Sequence, residues 1–169
     1  MQLKISMNWT TVADFDIAAV YESKEGQRGL IYFGDLGKKD SFPYIYLNKD
    51  AGVDNKGGNK AEDLVINKFN EMKSVWLFCW DYQSVENGTK GRFKDSDVRL
   101  TIENNSGKEQ NLAITSKMPN DGNVCYFGKI LNTDKGIKIK NSAVDGLLRG
   151  LKSVEQLMAL VRYEEAQVA

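Results

Sequence analysis

The sequence contains no histidine, and this absence excludes more chemistry than any other feature of the chain. Histidine is the usual general base near neutral pH and the commonest protein ligand of transition metals. Without it, neither a Ser-His-Asp nor a Cys-His catalytic site can form. A zinc centre would need four sulfur or oxygen ligands, and the two cysteines are far apart in the sequence, so we do not expect one. These absences indicate a protein that binds and does not catalyse.

The chain also lacks an excess of charge and a long apolar run. Lys plus Arg number 23 and Asp plus Glu also number 23, so no overall field attracts nucleic acid or an anionic membrane surface. The first residues contain no apolar run of signal-peptide length, and no later stretch approaches the roughly 18 apolar residues of a membrane span. We therefore expect a cytoplasmic protein with no nucleic-acid partner and no direct membrane insertion.

Cysteine and proline are both scarce. Cys79 and Cys125 lie in apolar, strand-like segments, where free cysteine usually behaves as a small buried hydrophobe. Two cysteines cannot build a disulfide framework. Prolines occur only at positions 43 and 119, and no segment resembles an interdomain linker. With 169 residues, of which 41% are hydrophobic and 27% charged, the chain predicts one folded domain over residues 1–169.

What the sequence does contain, up to about residue 143, is a series of short segments rich in β-branched and aromatic residues. Turn-forming sequences separate these segments, for example Asn87-Gly88 and the stretch at residues 120–123. Many short strands at this spacing predict a mainly β fold, an antiparallel β-sandwich. The expected strands are residues 14–23, 29–33, 44–47, 64–68, 75–82, 98–103, 112–115, 124–131 and 136–140.

Two of these segments also predict their surroundings. Residues 75–80 are apolar without alternation, which indicates a central strand covered on both faces, with Trp76 or Trp80 as an anchor of the core. In residues 136–140 the isoleucines at positions 137 and 139 alternate with the lysines at positions 138 and 140. In that strand the isoleucines should face inward and the lysines should face solvent.

The pattern changes after Asn141, and we expect a helical segment at about residues 144–165. Ser153 and Gln156 fit a capping box, in which the Ser hydroxyl accepts from a backbone N–H of the first turn and the Gln side chain reaches back to the start of the helix. Apolar residues then recur at helical spacing and form one stripe, comprising Val154, Leu157, Leu160 and Val161. The sequence predicts a C-terminal amphipathic helix packed on the sandwich, with a partner-binding helix as the alternative.

An acidic pair at the start of the first strong segment is a first candidate for a binding site. Asp14 and Asp16 are two positions apart, and side chains on a strand alternate, so both carboxylates should point to the same side. Two like charges held close together often mark a bound cation. Two solvated acids at a strand edge would show the same spacing, so both interpretations stay open.

The second candidate is the loop at residues 48–63, which is dense in oxygen donors and glycine. Calcium takes about six to eight oxygen ligands, and glycine lets the backbone curve until its carbonyls point inward. The loop is not an EF-hand, because counting from Asp50 places Asn55 where glycine is required and Ala61 where glutamate belongs. Three lysines offset much of the acidic charge, so a long hydrophilic connection without calcium is the alternative.

These segments resemble a known family. The chain carries LKISMNW at residues 3–9, DFDIAAVYE at 14–22 and GQRGLIYFG at 26–34, followed by PYIYL, the 54–63 loop and the apolar strand at 75–80. In this order they are similar to the TerD-type domain of tellurium-resistance proteins, and particularly to its TerA-like members. The similarity covers roughly residues 1–143, and residues 14–16 and 47–66 are its most specific parts.

The resemblance implies a β-sandwich from bacterial stress proteins associated with tellurite resistance, several of which bind calcium. In that family a D-x-D segment and an acidic loop supply the ligands. Here the loop is about one residue shorter, has Lys60 where an acid would lie and keeps fewer carboxylates. Carried over to this chain, the implied calcium ligands are Asp14, Asp16, Asp54, Asn55, Glu62 and Asp63.

The function implied by the resemblance is that of a non-catalytic, calcium-binding stress-response protein, with other tellurium-resistance proteins as expected partners. An alternative of a different class is a metal-free interaction or scaffold module in a bacterial stress-response complex. The lysines of the 48–63 loop favour the alternative, because they oppose cation binding.

Overall fold

The strands form where β-branched and aromatic residues are concentrated. A computed structural model describes residues 2–11, 13–48, 60–104, 109–113 and 121–168. Over these ranges the strands are β1 Leu3–Trp9, β2 Phe15–Ser23, β3 Arg28–Ile31, β4 Gly37–Lys38, β5 Ile45–Leu47, β6 Lys60–Ile66, β7 Met72–Asp81, β8 Arg99–Asn104, β9 Glu109–Ala113, β10 Val124–Thr133 and β11 Gly136–Gly146. The helices are α1 Tyr82–Asn87 and α2 Val154–Val168, and a short 3-10 helix spans Phe93–Asp95.

The strands form two antiparallel sheets. In the described ranges sheet A has the order β4-β5-β6-β1-β8-β9, and sheet B has the order β11-β10-β7-β2-β3. Apolar side chains from both sheets meet in a shared inner core, with Ile5 and Met7 of β1 on one side and Ile17 of β2 and Leu77 of β7 on the other. The predicted antiparallel β-sandwich with a C-terminal helix is therefore confirmed.

A second apolar layer lies on the outer face of sheet B. Residues of β7 alternate between the two layers, with Leu77 in the inner core and Phe78 in the outer layer. The helix α2 packs on this outer face, where Leu157 and Val161 are buried. The strand at residues 75–80 is thus central and covered on both faces, as its unbroken apolar sequence predicted, and Trp80 is a buried anchor.

The end of the sandwich and the start of the helix lie further along the chain than expected. β11 continues to pair with β10 as far as Gly146, so the helical segment begins only at Val154. The lysines of β11 are exposed while Ile137 and Ile139 pack against the inner core, as the alternation predicted. Gln156 accepts hydrogen bonds from the backbone N–H of Ser153 at 3.1 Å, which is the glutamine half of the predicted capping box.

β1 and α1 are not among the elements expected from the sequence. β1 pairs with both β6 and β8 in sheet A, and its apolar residues alternate with polar ones. The six-residue helix α1 occupies part of a segment that we expected to be strand and turn. Gly88 ends this helix with a φ of 66°, a left-handed conformation that glycine adopts without strain. The Asn87-Gly88 pair therefore closes a helix and does not form a hairpin turn.

Buried Asn123 connects segments that are far apart in the sequence. Its Nδ2 donates hydrogen bonds to the carbonyls of Ser84 at 3.2 Å, Thr89 at 2.9 Å and Leu148 at 2.8 Å. Its Oδ1 accepts a hydrogen bond from the backbone N–H of Leu148 at 2.8 Å. One side chain thereby joins α1 and the turn after it to the segment that leads into α2.

None of the helices in the described ranges combines the length and the apolar character that a membrane crossing requires.

Candidate functional site

The candidate site lies at the end of the sandwich where β2 begins. β3 pairs with β2 only over Ala19 to Glu22, so among the described strands the first part of β2 has a neighbour, β7, on one side only. The N–H of Tyr82 donates to the carbonyl of Asp14 at 2.9 Å, which turns the even-numbered backbone groups of this part of β2 towards β7. The N–H of Ile17 consequently points to the opposite, open side.

Glu62 reaches this open edge from the opposite sheet. Its Oε1 accepts a hydrogen bond from the N–H of Ile17 at 2.9 Å, and the residue is only 1% exposed. The inward direction follows from alternation along β6, where Leu64 and Ile66 also face the inner core. The contact joins positions 45 residues apart and brings the acidic segment of β6 next to Asp16.

Asp16 is as deeply buried as Glu62, with 1% of its surface exposed. It lies opposite Trp80 in the ladder between β2 and β7, and its Oδ2 accepts a hydrogen bond from the indole N–H of Trp80 at 3.1 Å. Burial raises the pKa of the Cys79 thiol well above its ordinary value, and the charges of Glu62 and Asp16 raise it further. Both carboxylates therefore act on the same neighbourhood in the interior.

Asp14 precedes β2 and is half-buried. It lies near an ion pair that the sequence analysis missed. Asp81 is fully buried and accepts hydrogen bonds from Arg92, with Oδ2 at 2.7 Å from Nε and Oδ1 at 2.5 Å from Nη2. These bonds raise the pKa of Arg92, and the charge of Asp14 raises it further. A guanidinium therefore lies within electrostatic reach of Asp14 and offsets part of its negative charge.

The sequence held a partial signal for this ion pair. Asp81 follows directly after the apolar segment at residues 75–80, and an acid at the end of a buried strand requires a partner. Nothing in the spacing selects Arg92, which is eleven residues further along and reaches Asp81 through the turn that follows α1.

Asp63 lies on the other face of sheet A. Consecutive residues on a strand point to opposite faces, so Asp63 turns outward where Glu62 turns inward. Its carboxylate pairs with Nζ of Lys4 at 3.7 Å, and its side chain is 23% exposed. Of the implied ligands, the structure brings Glu62 and Asp16 to one end of the sandwich, with Asp14 at the start of the same strand, and it separates Asp63 from them.

Asp54 and Asn55 lie outside the described residues. The strands that flank them are described, and the N–H of Asn48 donates to the carbonyl of Asp63 at 2.8 Å. β5 ends at Leu47 and β6 begins at Lys60, two residues before Glu62, and the two strands pair in sheet A.

An aromatic cluster borders the site on the outer face of sheet B. Phe33 makes edge-to-face contacts with Tyr32, Tyr82 and Trp80, with ring centroids 5.1, 5.3 and 6.4 Å apart. Trp80 is the residue whose indole binds Asp16. Phe33 itself is 39% exposed, and Leu36 close by in the sequence is 51% exposed. Apolar surface is therefore available to solvent next to the acidic end.

The acids fit calcium in their chemistry but do not complete a binding site. Carboxylate oxygens are the hard ligands that calcium prefers, and about six to eight oxygens surround the ion. Within the ranges that the structure describes, no three Asp, Glu, Cys or His side chains are arranged to hold a metal. Further oxygens, from the segment at residues 49–59 or from water, would be needed.

Comparison with known proteins gives no assignment of family. No family model matches the chain, and no curated protein matches it.

Proposed function

We propose that the protein is a non-catalytic, calcium-binding stress-response protein in which Asp14, Asp16 and Glu62 supply part of the oxygen ligands. The observation that carries this proposal is the hydrogen bond of 2.9 Å between Glu62 Oε1 and the N–H of Ile17. A shared site requires two acidic stretches, distant in the sequence, to converge in space. This contact supports that requirement for β2 and β6.

Burial of the acids gives the proposal its energetic basis. Asp16 and Glu62 are each 1% exposed, and a carboxylate removed from water is costly unless hydrogen bonds or a cation compensate its charge. Trp80 and Ile17 provide a hydrogen bond each. A calcium ion at the same end would compensate both charges at once. Its remaining ligands would come from Asp54, Asn55 and water.

A calcium titration of chelator-stripped protein tests this function. Calcium at about 100 times its dissociation constant should add about 2.7 kcal/mol to the free energy of unfolding, because it binds only the folded state. For a chain of this size that corresponds to a rise of about 5–10 °C in melting temperature. Calorimetry of the same titration measures the affinity directly. Absence of both the thermal and the calorimetric signal would contradict calcium binding.

Three substitutions locate the ion. Glu62→Gln keeps an oxygen that can accept from Ile17 but removes the charge, and Asp16→Asn does the same for the bond from Trp80. Both variants should fold and lose most of the calcium-induced rise in melting temperature. Asp63→Asn is the matched control, since Asp63 lies on the opposite face of sheet A and pairs with Lys4. A calcium response in Glu62→Gln equal to that of the unaltered protein would place the ion elsewhere.

The second candidate function is a metal-free interaction module of a bacterial stress-response complex, with other tellurium-resistance proteins as partners. The guanidinium of Arg92 near Asp14 favours it, because a fixed positive charge opposes a cation there. The exposed Phe33 and Leu36 offer apolar surface for a partner. On this hypothesis calcium leaves the melting temperature unchanged, and Phe33→Ser abolishes binding to a purified partner protein without altering the fold. Calcium-dependent stabilisation that survives Phe33→Ser would favour the first function.

A further inference from the structure

Cys79 and Cys125 face each other across two neighbouring strands of sheet B. They are register partners in the ladder between β7 and β10, and both side chains lie in the inner core. Two residues further along the ladder, the N–H of Asp81 donates to the carbonyl of Asn123 at 2.9 Å. Hydrogen-bonded pairs recur every two residues in an antiparallel ladder, so Cys79 and Cys125 form one of them.

This position suits a covalent bond between the two sulfurs. The Cα atoms of a hydrogen-bonded pair are about 5.5 Å apart, and disulfides span about 4.4–6.8 Å between Cα atoms. Burial raises the pKa of the Cys79 thiol, and the neighbouring Cys125 raises it further, which agrees with the two side chains lying next to each other. The Cβ atoms of facing residues are about 4.5–5.5 Å apart and those of a disulfide about 3.5–4.5 Å, so a small local approach of the two strands completes the bond. The two residues are the only cysteines in the sequence, and both are buried.

We propose that Cys79 and Cys125 form a site of reversible oxidation, at which a small hydroperoxide converts the two thiols into a cross-strand disulfide. The residues are 0% and 1% exposed, so a bulky disulfide such as oxidised glutathione cannot approach the sulfurs in the folded protein. Hydrogen peroxide is close to water in size and can reach interior sites through small fluctuations. The burial of the pair thus selects the class of oxidant.

The chemistry balances in two steps. The thiolate of one cysteine attacks hydrogen peroxide, an S–O bond forms as the O–O bond breaks, and hydroxide leaves and takes up a proton to become water. The sulfur is oxidised by two electrons to a sulfenic acid, and the peroxide is reduced. The second thiol then attacks the sulfenic sulfur, the S–S bond forms, the S–O bond breaks, and a second water leaves with the thiol proton.

Two properties of the reaction follow from the surroundings of the pair. Burial raises the pKa of the Cys79 thiol, so little thiolate is present at neutral pH, and the reaction should be slow and should accelerate as the pH rises. The bond would link the chain across residues 80–124, which include α1 and β8. Such a link reduces the freedom of the unfolded chain, and the melting temperature should rise by about 5–10 °C.

The test uses the full chain with a chelator present, so that it is independent of calcium. The folded protein is treated with hydrogen peroxide at pH 7 and pH 9, quenched with catalase, denatured and alkylated with N-ethylmaleimide. Intact mass should show both thiols lost together, faster at pH 9, and dithiothreitol should restore them. Peptide mapping should find Cys79 linked to Cys125. The oxidised protein should melt at a higher temperature than the reduced protein.

The variant Cys125→Ala is the control, because alanine fills most of the same space and removes the second sulfur. With it, peroxide should produce a sulfenic acid at Cys79, which dimedone traps when it is added together with the denaturant, and it should produce no rise in melting temperature. If this variant does not fold, the number of free thiols in the unaltered protein, counted before and after peroxide, still shows whether the disulfide forms. The proposal is overturned if both thiols can still be alkylated after peroxide has oxidised the methionines. It is also overturned if the two thiols are oxidised only when denaturant is present.

Discussion

Within the residues that the structure describes, sheet B is covered on both faces, whereas sheet A is covered on one. Every residue of β7 except Lys73 is buried, because the inner core lies on one side and the layer under α2 on the other. In β1 of sheet A, buried residues alternate with exposed or half-buried ones. The stabilisation that comes from burying apolar side chains is therefore concentrated around sheet B, while the outer face of sheet A carries polar groups such as Asp63.

Two carboxylates that hydrogen-bond to other segments of the chain also differ in burial, one in sheet B and one beside sheet A. Asp81, at the end of β7, is fully buried and binds the guanidinium and backbone of Arg92. Asp97, before β8, is exposed and accepts hydrogen bonds from the N–H of Thr10 at 2.8 Å and from Oγ1 of Thr11 at 2.9 Å. The bonds from Thr10 are the main reason that the pKa of Asp97 lies well below its ordinary value.

The largest expected effect tests the outer layer of sheet B. Phe78 is fully buried there and packs against Tyr126 with ring centroids 5.4 Å apart. Phe78→Ala removes a large apolar side chain and leaves a cavity, so the free energy of unfolding should fall by about 3–5 kcal/mol. Ser6→Ala on the outer face of β1 is the control and should change it by less than about 0.5 kcal/mol. If urea denaturation shows equal decreases in the free energy of unfolding for both variants, the contrast between the two sheets is wrong.

A smaller effect is expected at the buried ion pair. Arg92→Met leaves the Asp81 carboxylate in the interior without its guanidinium, which should cost about 2–3 kcal/mol. The loss falls below the usual range of about 3–5 kcal/mol because the Arg92 side chain is 34% exposed. The double variant Asp81→Asn/Arg92→Met should recover part of the loss, since it removes the isolated charge. Stability is measured by denaturation of both variants. If the double variant is less stable than Arg92→Met, the isolated charge of Asp81 is not the cause of the loss.

The smallest effect concerns Asp97 and depends on pH. Its folded pKa lies below the unfolded value of about 3.9, so the folded state binds fewer protons and is stabilised above that value. This contribution is complete at neutral pH and is lost as the pH falls below about 4. Asp97→Asn should cost at most about 1 kcal/mol at pH 7, because the carboxylate is exposed to water.

Denaturation curves from pH 7 to pH 2 check the prediction for Asp97. The difference in stability between the unaltered protein and Asp97→Asn should shrink as the pH falls. A difference that stays constant over the whole range would mean that the carboxylate charge contributes nothing.

Most of the strands could be predicted from local concentrations of β-branched and aromatic residues. For β7 and β11, the absence or presence of alternation also predicted which faces are buried. The same rule could have separated Glu62 from Asp63. The expected strand began at residue 64, which left both acids in a loop where alternation does not apply, whereas β6 begins at Lys60. Arg92 could not be predicted, because its position beside Asp81 depends on the path of the turn after α1 and not on any repeat in the sequence.

The carboxamide of Asn123 links the opening of the C-terminal segment to that of α1. It binds groups of α1, of the turn that follows and of the approach to α2, so detaching the C-terminal segment would break both of its bonds to Leu148 and leave its buried Oδ1 without a donor. The N–H of Gly150, which donates to the carbonyl of Val85 in α1 at 2.6 Å, would lose its partner as well. Separation of that helix is therefore coupled to loosening of α1. The two helices start at Tyr82 and Val154, 72 positions apart, and we expect them to open as one cooperative unit attached to sheet B.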